Sequence, residues 1–157
     1  MPIKRFKGFT LIELIATLVL IAAVAATIGP RFFNVDDFRE RGFFDETLSS
    51  VRYAQKLAVA TGCSVFVDIT ATGFTFYRAA SAATCNTGPY ATVVADPSGN
   101  ATTFTRTAPS GVTLTVKSFT FRSDGSATDG TAATTATVNV NSRQFKVFFD
   151  TGFVQRL

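Results

Sequence analysis

The first pattern in the sequence is a continuous apolar run near its N-terminus. From Phe9 to Ile28 there are twenty residues, and apart from Glu13 and three threonines all are Phe, Leu, Ile, Val or Ala. A helix needs roughly 20 such residues to cross the hydrocarbon core of a bilayer. The run therefore predicts a membrane-spanning helix over residues 9–29.

A second helical pattern begins at Phe43. Apolar residues recur there at spacings of three and four, as Phe44, Leu48, Val51, Ala54 and Ala58. This spacing is typical of an amphipathic helix that lays one stripe on a sheet. The stripe predicts that residues 30–62 continue the first helix outward and end at a glycine C-cap, Gly62.

Two interruptions of this long helix are expected. Pro30 lacks a backbone donor and restrains the preceding Gly29, so a kink or a short non-helical stretch is predicted there. Gly42 is a further weak point, because glycine is a poor helix former.

Beyond Gly62 the period changes from helical to alternating. Short runs with turn signals between them predict strands, and residues 79–90 are predicted to form a loop. The candidate strands are 64–69, 74–78, 91–95, 102–106, 112–122, 134–139 and 145–149. Short strands with close turns favour one antiparallel sheet or two small sheets over residues 63–157. The predicted class is α+β, with the outer half of a long N-terminal helix packed on a β domain.

The charged residues on either side of the apolar run predict how the chain is oriented in a membrane. Lys4, Arg5 and Lys7 precede the apolar run, whereas Arg31 is the first charge after Glu13. This asymmetry predicts a cytoplasmic N-terminus and an exported C-terminal domain. An ordinary secretory signal peptide is the alternative, but its apolar region is about 7 to 15 residues long and ends in a small-residue cleavage site.

Glu13 is the unusual residue of the run. A carboxylate inside an apolar helix costs about 2.5 to 3.5 kcal/mol on insertion scales and usually has a partner. A cut between Gly8 and Phe9 would create an amine that could pair with Glu13 of a neighbouring subunit. The alternative is a carboxylate that reaches back to the membrane interface.

Composition argues against catalysis. The chain has no histidine and only two cysteines, which removes the common zinc sites and every triad that uses histidine. Of the aspartates beyond Gly62, which are Asp68, Asp96, Asp124, Asp129 and Asp150, most stand beside Gly, Pro, Ser or Thr, where a role in a turn is favoured. No enzyme activity, cofactor or metal is predicted.

The N-terminal segment Lys7-Gly8-Phe9-Thr10-Leu11-Ile12-Glu13 resembles the class III signal and first helix of type IV pilins and type II secretion pseudopilins. The resemblance implies that residues 1–8 are a leader, removed between Gly8 and Phe9 by a prepilin peptidase that also methylates Phe9. It implies that Glu13 registers subunits during filament assembly. Gly29 and Pro30 match the kink or melted stretch of the family.

Further segments are similar to one branch of that family. Residues 41–46, 51–63, 121–127 and 149–154 resemble the branch that includes the type II secretion H subunit, the FimT and FimU type minor pilins, and minor pilin C of mannose-sensitive haemagglutinin (MSHA) pili. Within this branch they look most like the MSHA type. The resemblance implies a minor pilin in the inner membrane and then in a filament, with other pilins as partners. A pseudopilin of a secretion machine is the alternative.

Cys63 and Cys85 are the two cysteines. In an exported domain such a pair predicts a disulfide, which would stabilise by about 3 kcal/mol for a loop of this size. Two free buried thiols are the alternative.

Two further functions come from other classes. A DNA-binding subunit at a pilus tip would use basic residues of the β domain, namely Arg106, Lys117, Arg122, Arg143 and Lys146. The leader holds three of the 15 Lys and Arg, which leaves 12 against 11 Asp and Glu. A near-neutral mature chain favours a scattered solvated surface over a phosphate-binding stripe. A membrane-anchored enzyme lacks candidate residues.

Overall fold

The computed structural model of the chain describes residues 9–28, 35–99 and 102–157. The chain divides between Val35 and Asp36 into two compact units. Its helices are α1 (Leu11–Ile28) and α2 (Val35–Thr61). Its strands are β1 (Val65–Thr70), β2 (Gly73–Ala79), β3 (Tyr90–Val93), β4 (Thr105–Thr107), β5 (Lys117–Phe121), β6 (Ala127–Thr128), β7 (Thr135–Val140), β8 (Arg143–Phe148) and β9 (Val154–Arg156). Among the residues described, no helix is both long and apolar enough to cross a membrane.

Helix α2 carries the predicted apolar stripe. All five residues of that stripe are buried, and Phe43 and Thr47 are buried beside them. The Thr47 hydroxyl donates to the Phe43 carbonyl at 2.7 Å, which gives a polar group inside the core its hydrogen bond. The helix ends at Thr61, and Gly62 adopts the left-handed φ of +67° that suits a glycine C-cap.

The predicted weak point at Gly42 is wrong. Helix α2 runs without interruption from Val35 through Gly42. The next two residues, Phe43 and Phe44, are buried, so packing of their rings offsets the low helix propensity of one glycine. The predicted kink at Gly29 and Pro30 lies outside the described residues.

The first sheet has the strand order β3-β2-β1-β5-β6, and all of its pairs are antiparallel. Strand β4 also pairs with β2, along the part of β2 that β3 leaves open. In β1, Val65, Val67 and Ile69 are buried while Phe66 and Asp68 are half-buried on the opposite face. This alternation is the period of two expected for a sheet covered on one side.

The second sheet has the order β7-β8-β9 and is also antiparallel. Asn141 and Ser142 form the turn between β7 and β8, and Asn141 has a left-handed φ of 48°, a conformation that asparagine tolerates. The predicted antiparallel β domain is therefore confirmed, and of the two arrangements left open the chain adopts two sheets, one of six strands and one of three. Buried residues of α2 and of both sheets belong to one hydrophobic core.

The predicted strand over 112–122 is shorter than expected. Only Lys117–Phe121 pairs with β1, whereas the preceding residues bond to the second sheet. Leu114 forms an isolated bridge with Val140, and the Thr115 amide donates to the Asn139 carbonyl at 3.0 Å. This segment therefore passes from one sheet to the other, which a continuous alternating pattern does not reveal.

Candidate functional site

The first candidate site is the beginning of α1. The Glu13 amide donates to Thr10 Oγ1 at 3.3 Å, and the Leu14 amide donates to the Thr10 carbonyl at 3.1 Å. Thr10 is thus the N-cap of α1, and Glu13 occupies the third helical position, which is the spacing of a capping box. A carboxylate in the first turn also interacts favourably with the helix dipole, by about 0.3 to 1 kcal/mol.

This capping geometry adds to the role expected of Glu13. Glu13 was predicted as an assembly residue and Thr10 was not predicted, although the Thr-x-x-Glu spacing is itself a signal for a helix start. Gly8, on the other side of the expected cut, lies outside the described residues. Phe9 is exposed. The assembly and processing roles of Gly8, Phe9 and Glu13 stay predictions.

The large apolar side chains of α1 from Leu11 to Val24 are exposed. Leu11, for example, is 77% exposed and Leu20 is 66% exposed. Isolated exposed apolar residues are common on proteins, but a contiguous apolar surface marks a site of interaction. Helix α1 therefore presents an apolar surface of the kind that marks a site of interaction.

The disulfide forms the second candidate site. Cys63 is bonded to Cys85 with their Cα atoms 5.0 Å apart, so both cysteines of the chain are paired. The Ser64 amide donates to the Cys85 carbonyl at 3.0 Å and to Asn86 Oδ1 at 2.9 Å. The bond joins the end of α2 to the loop that follows β2, which contains a single 3₁₀ turn at Ala82–Thr84.

Polar residues at the borders of the α2 stripe hold the β domain in place. Gln55 Nε2 donates to the carbonyls of Gly125 and Thr151, at 3.1 and 3.0 Å. Arg52 donates to the Val154 carbonyl at 3.0 Å. Neither residue belongs to the predicted apolar stripe, and nothing in their spacing identifies the distant carbonyls that they bind.

The N-terminal half of α2 binds the β7–β8 hairpin in a similar way. The Ser142 hydroxyl donates to Glu40 Oε1 at 2.7 Å, and this hydrogen bond holds the pKa of Glu40 below its usual range. Asn141 accepts from the amide of Thr113 at 2.9 Å. The hairpin is therefore fixed both to α2 and to the segment that passes between the sheets.

The five basic residues considered for DNA binding are spread over both sheets. Arg106 and Lys117 belong to β4 and β5, Arg122 follows β5, and Arg143 and Lys146 belong to β8. Three of the five face a carboxylate. These pairs are Arg106 with Glu46 and Asp96, Lys117 with Asp129, and Arg143 with Glu40. Ion pairs inside the chain reduce the charge that is available to phosphate groups.

Arg106 forms the most extensive of these ion pairs. Its Nε lies 2.7 Å from Glu46 Oε1, and its Nη2 lies 2.7 Å from Asp96 Oδ2. The guanidinium is also 4.8 Å from the centre of the Phe104 ring, within the range of a cation–π contact. Arg106 thus joins α2 to the connection between β3 and β4.

The turn role predicted for the aspartates is confirmed at three positions. Asp96, Asp124 and Asp129 each accept from the amide and the hydroxyl of the residue two positions later. These hydrogen bonds lower the pKa of all three carboxyls. For Asp96, the bonds from Ser98 and then from Arg106 lower the pKa to about 2. Such carboxylates stay ionised at neutral pH and serve the turns.

Comparison with known proteins identifies the N-terminal segment. A family model described as the prokaryotic N-terminal methylation motif matches residues 3–29. The type IV narrow pilus major component PilA5 of Thermus thermophilus is 41% identical over 54 residues, which cover 34% of this chain and 47% of PilA5. The chain thus matches about half the length of that relative.

Solved structures match the fold. The type IV minor pilin FimU of Pseudomonas aeruginosa has a TM-score of 0.53 at 14% identity, over 78% of this chain and 90% of that chain. The minor pseudopilin EpsH of the type 2 secretion system of Vibrio cholerae has a TM-score of 0.48 at 16% identity, over 72% and 91%. The likeness to FimU confirms the α+β pilin fold.

Two findings bear on function. The chain matches the prokaryotic N-terminal methylation motif over residues 3–29. Its fold, a helix packed on antiparallel sheets, is similar to that of the minor pilin FimU.

Proposed function

We propose that this chain is a minor pilin, a subunit that enters or primes a helical type IV pilus after processing at the inner membrane. The observation that carries the proposal is the methylation motif over residues 3–29, which includes the exposed apolar helix α1. The leader would be residues 1–8, and cleavage between Gly8 and Phe9 would leave an N-methylated phenylalanine. The C-terminal domain would face the periplasm before assembly.

Assembly into a filament would explain why the apolar side chains of α1 are exposed in the single chain. Apolar side chains on all sides of one helix are stable in a lipid bilayer or in the core of a helical filament, where neighbouring helices cover them. In a filament, Glu13 of one subunit would pair with the new amine at Phe9 of a neighbour. Gly29 and Pro30 would give the helix a point at which to bend.

The particular pilus is proposed from the sequence segments named above. Residues 41–46 and 51–63 favour an MSHA-like minor pilin. A minor rather than a major pilin also agrees with the likeness of the fold to FimU, which is a minor pilin. A pseudopilin of the H type in a type II secretion system is the second candidate, because one fold serves both machines. Deleting the gene would separate them, since one candidate predicts loss of pili and the other predicts loss of secretion.

Processing tests the proposal directly. The full chain is produced with and without its prepilin peptidase, extracted from membranes, and measured by intact mass and N-terminal sequencing. We expect a chain that begins at methylated Phe9 only when the peptidase is present. A chain that stays uncut, or one that is cut near Ala25 or Ala26, would contradict a pilin and return the segment to an anchor or a signal peptide.

A further inference from the structure

A pocket lies at the C-terminal end of α2, beside the disulfide. Its volume is about 230 Å³, and most of its lining is apolar. Leu57 and Thr61 of α2 form one wall, Val65 and Ala79 come from β1 and β2, and Ala82 comes from the 3₁₀ turn. Because Cys63 and Cys85 also line the pocket, a covalent bond holds the helix and the turn on its two sides.

Arg78 supplies the charge of this pocket. Its side chain is exposed and contributes to the lining. Within the described part of the chain, Arg78 forms no ion pair, in contrast to Arg106 and Arg143. The site therefore combines an apolar interior with one available cation, and it suits an apolar group that has an acidic neighbour.

The opposite end of α2 carries such a group. Phe38 is 76% exposed, whereas Phe44, six residues further along the same helix, is 1% exposed. Two acidic residues, Asp36 and Asp37, immediately precede Phe38. Asp36 is 91% exposed and Asp37 is 60% exposed, with Asp37 only 4.0 Å from its intrahelical partner Arg41. Asp36 accepts from Arg39 at 3.4 Å, so each carboxylate has an arginine on its own helix, but most of the surface of both side chains is exposed.

Phe38 and the pocket fit each other in size and charge. A cavity of about 150 Å³ lined by apolar side chains accepts benzene, so a pocket of 230 Å³ has room for the phenyl ring of Phe38. An aspartate next to the ring brings a negative charge to the pocket that holds Arg78. Burying an aromatic ring in this way gives an interface its central anchor.

The two features cannot meet within one chain. Phe38 and Thr61 are at the two ends of the continuous α2 helix, which at 1.5 Å per residue separates them by about 34 Å. A contact between opposite ends of identical subunits is heterologous, and it generates an open helical assembly when the rotation does not close. The geometry thus agrees with a filament.

We propose that Phe38 of one copy of this chain occupies the α2-end pocket of a second copy, with Asp37 facing Arg78. The inference rests on the proposed function, since it requires assembly, and it adds a partner to that function: a second copy of this chain. Copies of this chain would then contact one another in the filament rather than occur only as isolated insertions among other pilins.

Photo-cross-linking in the assembled filament tests the contact. The full chain carries a benzoylphenylalanine at position 38 and is produced in cells that assemble the filament. After irradiation, we expect a covalent dimer in which residue 38 is joined to a peptide containing residues 57–61 or 78–82. Ala82→Trp fills the pocket and should reduce the dimer about tenfold, which is the effect of 1.4 kcal/mol. Ala83→Trp is the matched control, because the neighbouring Ala83 is exposed and does not line the pocket.

Charge reversal gives a second, independent measurement. Arg78→Glu alone should reduce the dimer, and combining it with Asp37→Arg should restore the dimer. Filaments that assemble with residue 38 joined to lipid, to another protein, or to a different surface of the chain would overturn the inference and leave the proposed function intact. A wild-type chain that keeps its leader and never enters a filament would overturn both.

Discussion

The two helices of this chain differ in the exposure of their apolar side chains. Helix α1 is almost entirely apolar, yet Leu11 and Leu20 are exposed. Helix α2 mixes apolar with charged residues, yet Phe44 and Val51 are completely buried or nearly so. The difference lies in the partner, because the chain contains two sheets that cover the stripe of α2 and has nothing comparable for α1 among its described residues.

Stability and assembly are therefore encoded in different parts of the chain. Every buried hydrophobic residue in the described ranges lies between Phe43 and Val154, so the core belongs to the second compact unit. No described residue of α1 is among the core residues. Changes in α1 should act on assembly, and changes in the α2 stripe should act on folding.

The largest expected effect comes from removing residues 1–35. The truncated chain should lose filament incorporation completely, because it lacks α1 and the processing motif. It should still unfold cooperatively, because the whole core remains. Calorimetry of the truncated domain beside the processed full chain in detergent measures the second point. A truncated domain without a cooperative transition would show that α1 contributes to the fold and would break the comparison.

Replacement of one core ring should give the next largest effect. Phe44 packs edge-on against Phe145, with ring centres 6.1 Å apart, and Arg156 lies 5.1 Å from the centre of the Phe44 ring. Phe44→Ala should reduce the free energy of unfolding by about 3–5 kcal/mol.

Phe38→Ala is the matched control on the same helix. Its ring is exposed, so the change should stay within about 0.5 kcal/mol. Chemical denaturation of both variants measures the difference. Equal losses of stability at the two positions would contradict the distinction between buried and exposed faces of α2.

Removing the disulfide should give the third largest effect. It closes a loop with a sequence separation of 22 residues, and the loop-entropy estimate for this size is about 3 kcal/mol. Replacing both Cys63 and Cys85 by serine should lower the free energy of unfolding by that amount. The wild-type domain in a strong reductant is the second arm of the measurement, and an unchanged denaturation midpoint in both arms would contradict a stabilising bond.

The sequence predicted those features that depend on local periodicity. The α2 stripe, its end at Gly62, β1, β2, β7 and β8 all follow from spacings of three and four or of two. Strands β6 and β9 are only two and three residues long, so their alternation is too short to be recognised. The alternating pattern also predicted a single strand over residues 112–122. The pattern does not reveal that Thr115 bonds to the second sheet while Phe119 pairs within the first.

The contacts of polar side chains were the least predictable part of the candidate site. Gln55 and Arg52 bind carbonyls about 70 to 100 positions later in the chain, and Arg106 joins two acids that are 50 positions apart. Such pairs depend on the tertiary fold and leave no local pattern. Thr10 is the exception, since its Thr-x-x-Glu spacing already indicates the helix start.

Acid titration at Asp96 should give the smallest effect, and it tests whether ion pairs around α2 add to the stability of the core. The pKa of Asp96 falls from 3.8 to about 2 because the folded chain gives the carboxylate hydrogen bonds from Ser98 and Arg106. A folded-state pKa below the unfolded value means that the contribution is present above about pH 4 and is lost as the pH falls from 4 towards 2. Wild-type stability should therefore decline through this window.

The Asp96→Asn variant isolates the part of this decline that belongs to Asp96. It should be less stable than the wild type at pH 7 and should lose less stability on acidification, because its amide does not titrate. Asp124→Asn is a useful comparison, since Asp124 also accepts from a hydroxyl two residues later but has no ion pair of the Arg106 type in the described chain. Thermal unfolding of the three proteins from pH 7 to pH 2 measures the slopes. If Asp96→Asn and the wild type had parallel profiles, the ionised Asp96 carboxylate and its pairing with Arg106 would contribute nothing to the stability of the domain.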